Sequence, residues 1–119
     1  MEHYFSHAER RAQLERFVAA LDDLIPVLGA TPGYNGHAPT FQAARDQAVA
    51  LLNDGFEQAE LSELARAVPT LFHPKEDPPL EPTAEPGGWR EPDWYRSLIA
   101  KLQPTFAAAE ALRSIGYRT

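Results

Sequence analysis

The apolar residues in the first quarter of the chain recur at the spacing of an α-helix. They are separated by three or four positions, and charged residues occupy the positions between them. The stripe consists of Leu14, Phe17, Val18, Leu21, Leu24, Ile25 and Leu28. Ser6 followed by Glu9 forms the S-x-x-E pattern of a capping box, and Gly29 is typical of the residue after a helix. The pattern therefore predicts a first helix at residues 6–28, with Pro26 in its last turn.

Two shorter helices are predicted at residues 39–53 and 57–68. The apolar positions of the first are Phe41, Ala44, Ala48, Leu51 and Leu52. Pro39 suits the first turn of the helix at residues 39–53. Pro69 ends the helix at residues 57–68, because a proline disfavours the helical conformation of the residue before it. Arg45 lies beside the apolar stripe, and its head group either extends into solvent, which is the commoner outcome, or forms an ion pair with another helix.

A long fourth helix is predicted at residues 92–115, with Pro92 in its first turn. Its apolar positions are Trp94, Leu98, Leu102, Phe106, Ala109 and Leu112. Pro104 falls inside this span, where it produces either a kink or two shorter helices. We expect the kink, because several buried side chains at about 2 kcal/mol each outweigh a cost of about 3 kcal/mol for an internal proline.

Helical periods dominate the whole chain, and the alternating pattern of a half-buried strand does not occur. The expected fold is all-α: one helical domain spanning residues 1–119, arranged as a four-helix bundle with two long helices, the first and the fourth, and two shorter ones. In size and charge pattern alone, the chain resembles small helical accessory and immunity-type proteins.

A long proline-rich connection, residues 73–91, separates the third and fourth predicted helices. Residues 73–92 hold six of the eleven prolines and two of the seven glycines, so neither a helix nor a central strand can run through them. The acids outnumber the bases by six to two between residues 73 and 93, a local charge of −4. A connection of this length in a compact domain is usually functional or disordered.

Composition narrows the classes of function. The formal net charge of −6 argues against nucleic-acid binding, which depends on lysine and arginine displacing counterions. The absence of cysteine excludes disulfides and thiol catalysis and suits a reducing compartment. No secretion signal or membrane-spanning run is recognisable, so we expect a cytoplasmic protein without a membrane partner.

Candidate catalytic and metal chemistry is weak. His3 and His7 are four residues apart, but the predicted cap at Ser6 places His3 outside the helix, so no metal site is predicted. No Glu-x-x-His pair or nucleophile elbow occurs, and we expect no catalytic residues and no cofactor.

The favoured function is a non-enzymatic protein-binding module, an inhibitor, immunity-type or adaptor protein. It would present the acidic proline-rich loop to a basic surface of a partner protein, because proline stiffening lowers the entropy lost on association. The predicted partner-binding residues are Glu76, Asp77, Leu80, Glu81, Glu85 and Trp89.

The alternative function is a small-molecule-binding protein or enzyme. Its pocket would be formed by the polar-tipped aromatic residues of the two long loops and the start of the fourth helix, namely Tyr34, His37, Trp94 and Tyr95. Homodimerisation through the fourth helix is compatible with either function.

Overall fold

The computed structural model describes residues 6–69 and 79–113, which are mostly helical. The described helices are α1 (His7–Gly29), α2 (Ala38–Asp54), α3 (Gln58–Arg66) and α4 (Asp93–Arg113). A short 3₁₀ turn spans Asn35–His37, and two short strands, β1 (Glu81–Pro82) and β2 (Trp89–Arg90), pair with each other. The all-α prediction is confirmed, and the predicted spans match these helices closely, with residues 114 and 115 outside the described part.

The first helix begins at the predicted capping box. The Glu9 amide donates to Ser6 Oγ at 3.1 Å, and the Ser6 amide donates to Glu9 Oε1 at 3.3 Å. These two bonds satisfy amides that have no carbonyl partner at a helix start.

Both internal prolines lie within continuous helices. α1 passes through Pro26 and α4 passes through Pro104, and both rings are exposed. The alternative of two shorter helices in place of α4 is therefore wrong. One residue after Pro104, the Thr105 hydroxyl donates to the Lys101 carbonyl at 2.9 Å, so this buried side chain is hydrogen-bonded inside its own helix.

The seam between α1 and α4 follows a seven-residue repeat. Its buried positions in α1 are Leu14, Phe17, Leu21, Leu24 and Leu28, and those in α4 are Leu98, Leu102, Thr105, Ala109 and Leu112. This alternation of three and four is the spacing of helices that pack side by side at a shallow angle. The predicted apolar stripe of α4, which included Trp94 and Phe106 but not Thr105, is corrected here. Thr105 is fully buried, whereas Phe106 is half-buried and Trp94 is 39% exposed.

The helices pack in the order α2, α1, α4, α3. α1 contacts both α2 and α4, and α3 contacts α4, whereas α2 and α3 make few contacts with each other. The principal extents are 57 × 33 × 18 Å, so the molecule is elongated and flat. The space between α2 and α3 is therefore left open at the surface.

Arg45 forms an ion pair with another helix, and its head group does not simply extend into solvent, which was the commoner of the two predicted outcomes. Its Nε donates to Oδ1 of Asp22 on α1 at 2.9 Å, and both side chains remain partly exposed. An exposed pair of this kind contributes at most about 1 kcal/mol, so it orients α2 on α1 more than it stabilises the fold.

Candidate functional site

The described part of the proline-rich connection, residues 79–92, contains a small antiparallel hairpin. Glu81 pairs with Arg90, and Pro82 pairs with Trp89. The strands are only two residues long, which agrees with the restriction of proline to sheet edges. The connection is thus not wholly irregular, and Glu76 and Asp77 lie outside the described residues.

A tight turn closes the hairpin. The Gly88 amide donates to the Glu85 carbonyl at 3.0 Å, Pro86 follows Glu85, and Gly87 has a φ of 76°. Proline in the second position and a positive φ in the third define a type II turn, which favours glycine in the third position. The Thr83 amide donates to the Gly88 carbonyl at 3.0 Å, and this bond links the two ends of the loop that contains the turn.

The hairpin exposes two large apolar side chains. Trp89 is 63% exposed and Leu80 is 54% exposed. Pro82 lies directly opposite Trp89 in the register, and Leu80 is the residue directly before β1. We call the surface of Leu80, Pro82 and Trp89 the hairpin face.

Part of the predicted acidic character is neutralised within the hairpin itself. Glu81 Oε1 accepts a hydrogen bond from Arg90 Nε at 2.8 Å. Within the described residues, Glu85 and Glu91 form no ion pair and remain exposed. The described hairpin therefore has an apolar face with two exposed carboxylates beside it, Glu85 and Glu91, that form no ion pair with described residues.

The hairpin tip provides a test of this geometry. A Cβ on Gly88 would collide with the Thr83 hydroxyl, whereas a Cβ on Gly36 would meet no atom within 4 Å. We expect Gly88→Ala to open the hairpin, seen as lost cross-strand contacts between residues 82 and 89 in nuclear magnetic resonance spectra. Stability should change by less than about 0.5 kcal/mol, because the site lies on the surface. Gly36→Ala is the control, and an intact hairpin in Gly88→Ala would contradict the described turn.

Three of the four predicted pocket residues come together. The rings of Tyr34 and Trp94 lie 5.6 Å apart, and Trp94 meets Tyr95 edge to face at 6.1 Å. The contact between Tyr34 and Trp94 joins the loop after α1 to the start of α4, and His37 belongs to the 3₁₀ turn in that loop. Four grooves on the described surface are lined by other residues, so a ligand pocket at the aromatic cluster stays a prediction.

A buried polar cluster around Arg10 was missed in the sequence. Arg10 is only 7% exposed, and its guanidinium donates to Gln13 Oε1, to the Ala111 carbonyl and to Gln58 Oε1, at 2.9, 2.8 and 2.6 Å respectively. Gln58 Nε2 in turn donates to the Leu112 carbonyl at 3.0 Å. A cation also suits this position electrostatically, because the last carbonyls of a helix carry partial negative charge.

Burial removes water from this guanidinium and lowers the pKa of Arg10 below its usual value. The cluster joins α1 to α3 and α4 and has the character of a structural site. One signal was available in the sequence: Arg10 lies four residues before Leu14, on the same side of α1 as the apolar stripe.

The described residues contain no group of three side chains able to hold a metal ion. His7 instead stacks on Phe56 with ring centres 4.6 Å apart, and His3 lies outside the described part. Nor is any helix of the described part both long and apolar enough to cross a membrane.

Comparisons with protein-family models, with curated proteins and with solved structures find no match to this chain.

Proposed function

We propose that the protein is a non-enzymatic protein-binding module that contacts its partner through the hairpin segment, residues 79–91. One observation carries the proposal: Trp89 and Leu80 are both more than half exposed. Tryptophan is among the residues most often responsible for binding energy in protein interfaces, since it brings a large apolar area with few rotatable bonds.

The turn chemistry supports this role. The hydrogen bonds of Thr83, Glu85 and Gly88 hold the tip in one conformation before any partner arrives. A preformed loop loses less conformational entropy on binding than a flexible one, so more of the contact energy appears as affinity. In this proposal the four helices form a single bundle that serves as the scaffold.

The partner has an apolar pocket with basic residues at its rim. Glu85 and Glu91 supply exposed negative charge beside the hairpin face, and the sequence adds Glu76 and Asp77 before it. Charges at the rim of an interface mainly raise the association rate and its dependence on salt, while a central aromatic residue mainly determines the dissociation rate.

The test compares partner capture and affinity between two tryptophan variants. Wild type and Trp89→Ala are used to capture partners from the source cell, and any captured protein is purified for binding measurements. We expect Trp89→Ala to raise Kd about 30-fold or more, corresponding to a loss of about 2 kcal/mol, mainly through faster dissociation. Neutralising Glu85 and Glu91 should instead slow association and reduce its salt dependence.

Trp94→Phe is the matched control, because Trp94 lies in the aromatic cluster outside the hairpin and phenylalanine keeps a ring against Tyr34. It should leave the dissociation rate unchanged. A partner that binds Trp89→Ala as tightly as wild type would remove the hairpin face as the binding site.

A further inference from the structure

A groove of about 410 Å³ lies between α2 and α3. The α2 wall is formed by Thr40, Ala43, Ala44 and Gln47. These positions follow the spacing i, i+3, i+4, i+7, which is one complete face of a helix over two turns.

The α3 wall has the same spacing. It is formed by Glu60, Glu63 and Leu64 of α3 and by Ala67, the residue directly after this helix. One face of α2 and one face of α3 therefore line the groove, and the side chains of neither helix fill it. The cause lies in the packing order, because α2 rests on α1 and α3 rests on α4, and the two make few contacts with each other.

The groove has an apolar floor and accessible walls. Ala44 and Leu64 are almost completely buried and form the floor, whereas Ala43 and Ala67 are exposed. Because protein interiors are close-packed, direct packing of α2 against α3 would need side chains larger than alanine to fill this space. Alanine on both walls leaves room for side chains from another molecule.

The charge of the groove has one sign. Among the described residues that line it, Glu60 and Glu63 are the ionisable ones; both lie on the α3 wall and both are exposed. Glu60 Oε1 accepts the Glu57 amide in the cap of α3, while Glu63 forms no ion pair within the described residues. The α2 wall is neutral, so the groove is acidic along one side only.

We propose that this groove binds an amphipathic helix of a partner protein. That helix presents small or branched apolar side chains to Ala44 and Leu64, and lysine or arginine along the flank that faces Glu60 and Glu63. A groove lined over seven residues of each wall is about 10 Å long, which matches two turns of the bound helix and two or three anchoring side chains.

The inference does not depend on the hairpin. The groove and the hairpin face share no lining residue. Loss of one site therefore leaves the other intact, and the two can be tested separately.

The experiment selects peptides on the immobilised full chain from a displayed library. The library encodes helix-forming peptides of about 18 residues with one face and both flanks randomised. Enriched peptides are synthesised, and their Kd values are measured against wild type and variants whose circular dichroism matches wild type.

Two pairs of variants separate the groove from general surface effects. Ala43→Trp fills the groove, and Ala19→Trp places the same side chain on an exposed position of α1. Glu63→Lys reverses a groove charge, and Asp23→Lys makes the same change in net charge on exposed α1. Trp89→Ala tests independence from the hairpin.

We expect enriched peptides to have an apolar helical face and a basic flank. Ala43→Trp should weaken their binding about tenfold or more and Glu63→Lys about fivefold or more, with no change in Ala19→Trp, Asp23→Lys or Trp89→Ala. Absence of enrichment, enriched peptides without a basic flank, or affinity insensitive to Ala43→Trp would each overturn the proposal.

Two other occupants are outcomes of the same set of measurements. A dimer seen by light scattering that Ala43→Trp dissociates would assign the groove to a second copy of this chain. A tenfold gain in peptide affinity in the double variant Leu71→Ser and Phe72→Ser would assign it to the chain's own segment after α3. Either result would overturn the assignment to a partner helix.

Discussion

Leu21→Ala and Leu98→Ala are each expected to lower the free energy of unfolding by about 2–5 kcal/mol. Both side chains are completely buried in the seam between α1 and α4. The loss combines the transfer energy of the removed isopropyl group with the cost of the cavity that remains, because close-packed helices relax only partly into the space. Urea denaturation followed by circular dichroism measures the effect.

Glu15→Ala is the control on the same helix, since the Glu15 side chain is 56% exposed and its ion pair with Arg11 lies at the surface. It should change stability by less than about 1 kcal/mol. If all three variants unfold at the same urea concentration, the assignment of the seam is wrong.

Arg10→Ala is expected to lower the free energy of unfolding by about 3 kcal/mol. Removing the guanidinium leaves the Ala111 carbonyl and the side-chain oxygens of Gln13 and Gln58 without a donor that they use in the folded chain. A buried polar group that loses its partner costs about 1–3 kcal/mol, and here one buried and two partly buried hydrogen bonds are lost together, so the effect approaches that of losing a core leucine.

Arg11→Ala is the matched control, because Arg11 is the next residue, and its side chain is 50% exposed and paired with Glu15. It should cost less than about 1 kcal/mol. Arg10→Lys tests whether geometry or charge matters: a single ammonium on a narrower head group cannot span the same acceptors, so most of the loss should remain.

A double-mutant cycle identifies the contact between helices directly. Arg10→Ala combined with Gln58→Ala should destabilise by less than the sum of the single changes, with a coupling of about 0.5–3 kcal/mol. Strict additivity would show that the two side chains do not act together.

The composition of the hairpin segment predicts some of its features but not its internal contacts. The prolines and glycines of residues 73–92 predict a connection rather than a helix, and Leu80 and Trp89 are recognisable as its large apolar residues. The pairing of Glu81 with Arg90 is not recognisable, because it depends on the antiparallel register that the type II turn imposes. By alternation, the same register places Glu81 and Arg90 on the face opposite Pro82 and Trp89.

The sequence by itself determined the helices of this protein. The capping box at Ser6, the first-turn position of Pro39 and the period of the stripe of α1 are local signals, in which residues within one or two turns of each other set the conformation. Such signals need no knowledge of the rest of the fold.

Tertiary structure decided what each helix face meets. Thr105 rather than Phe106 enters the seam, Arg10 is buried, and Ala43 faces an open groove. These outcomes depend on how the helices rotate and cross, which is set by contacts between residues far apart in the chain. A periodic pattern shows roughly which side of a helix faces the core. The exact rotation of each helix about its own axis is set by the packing of α1, α3 and α4 against one another.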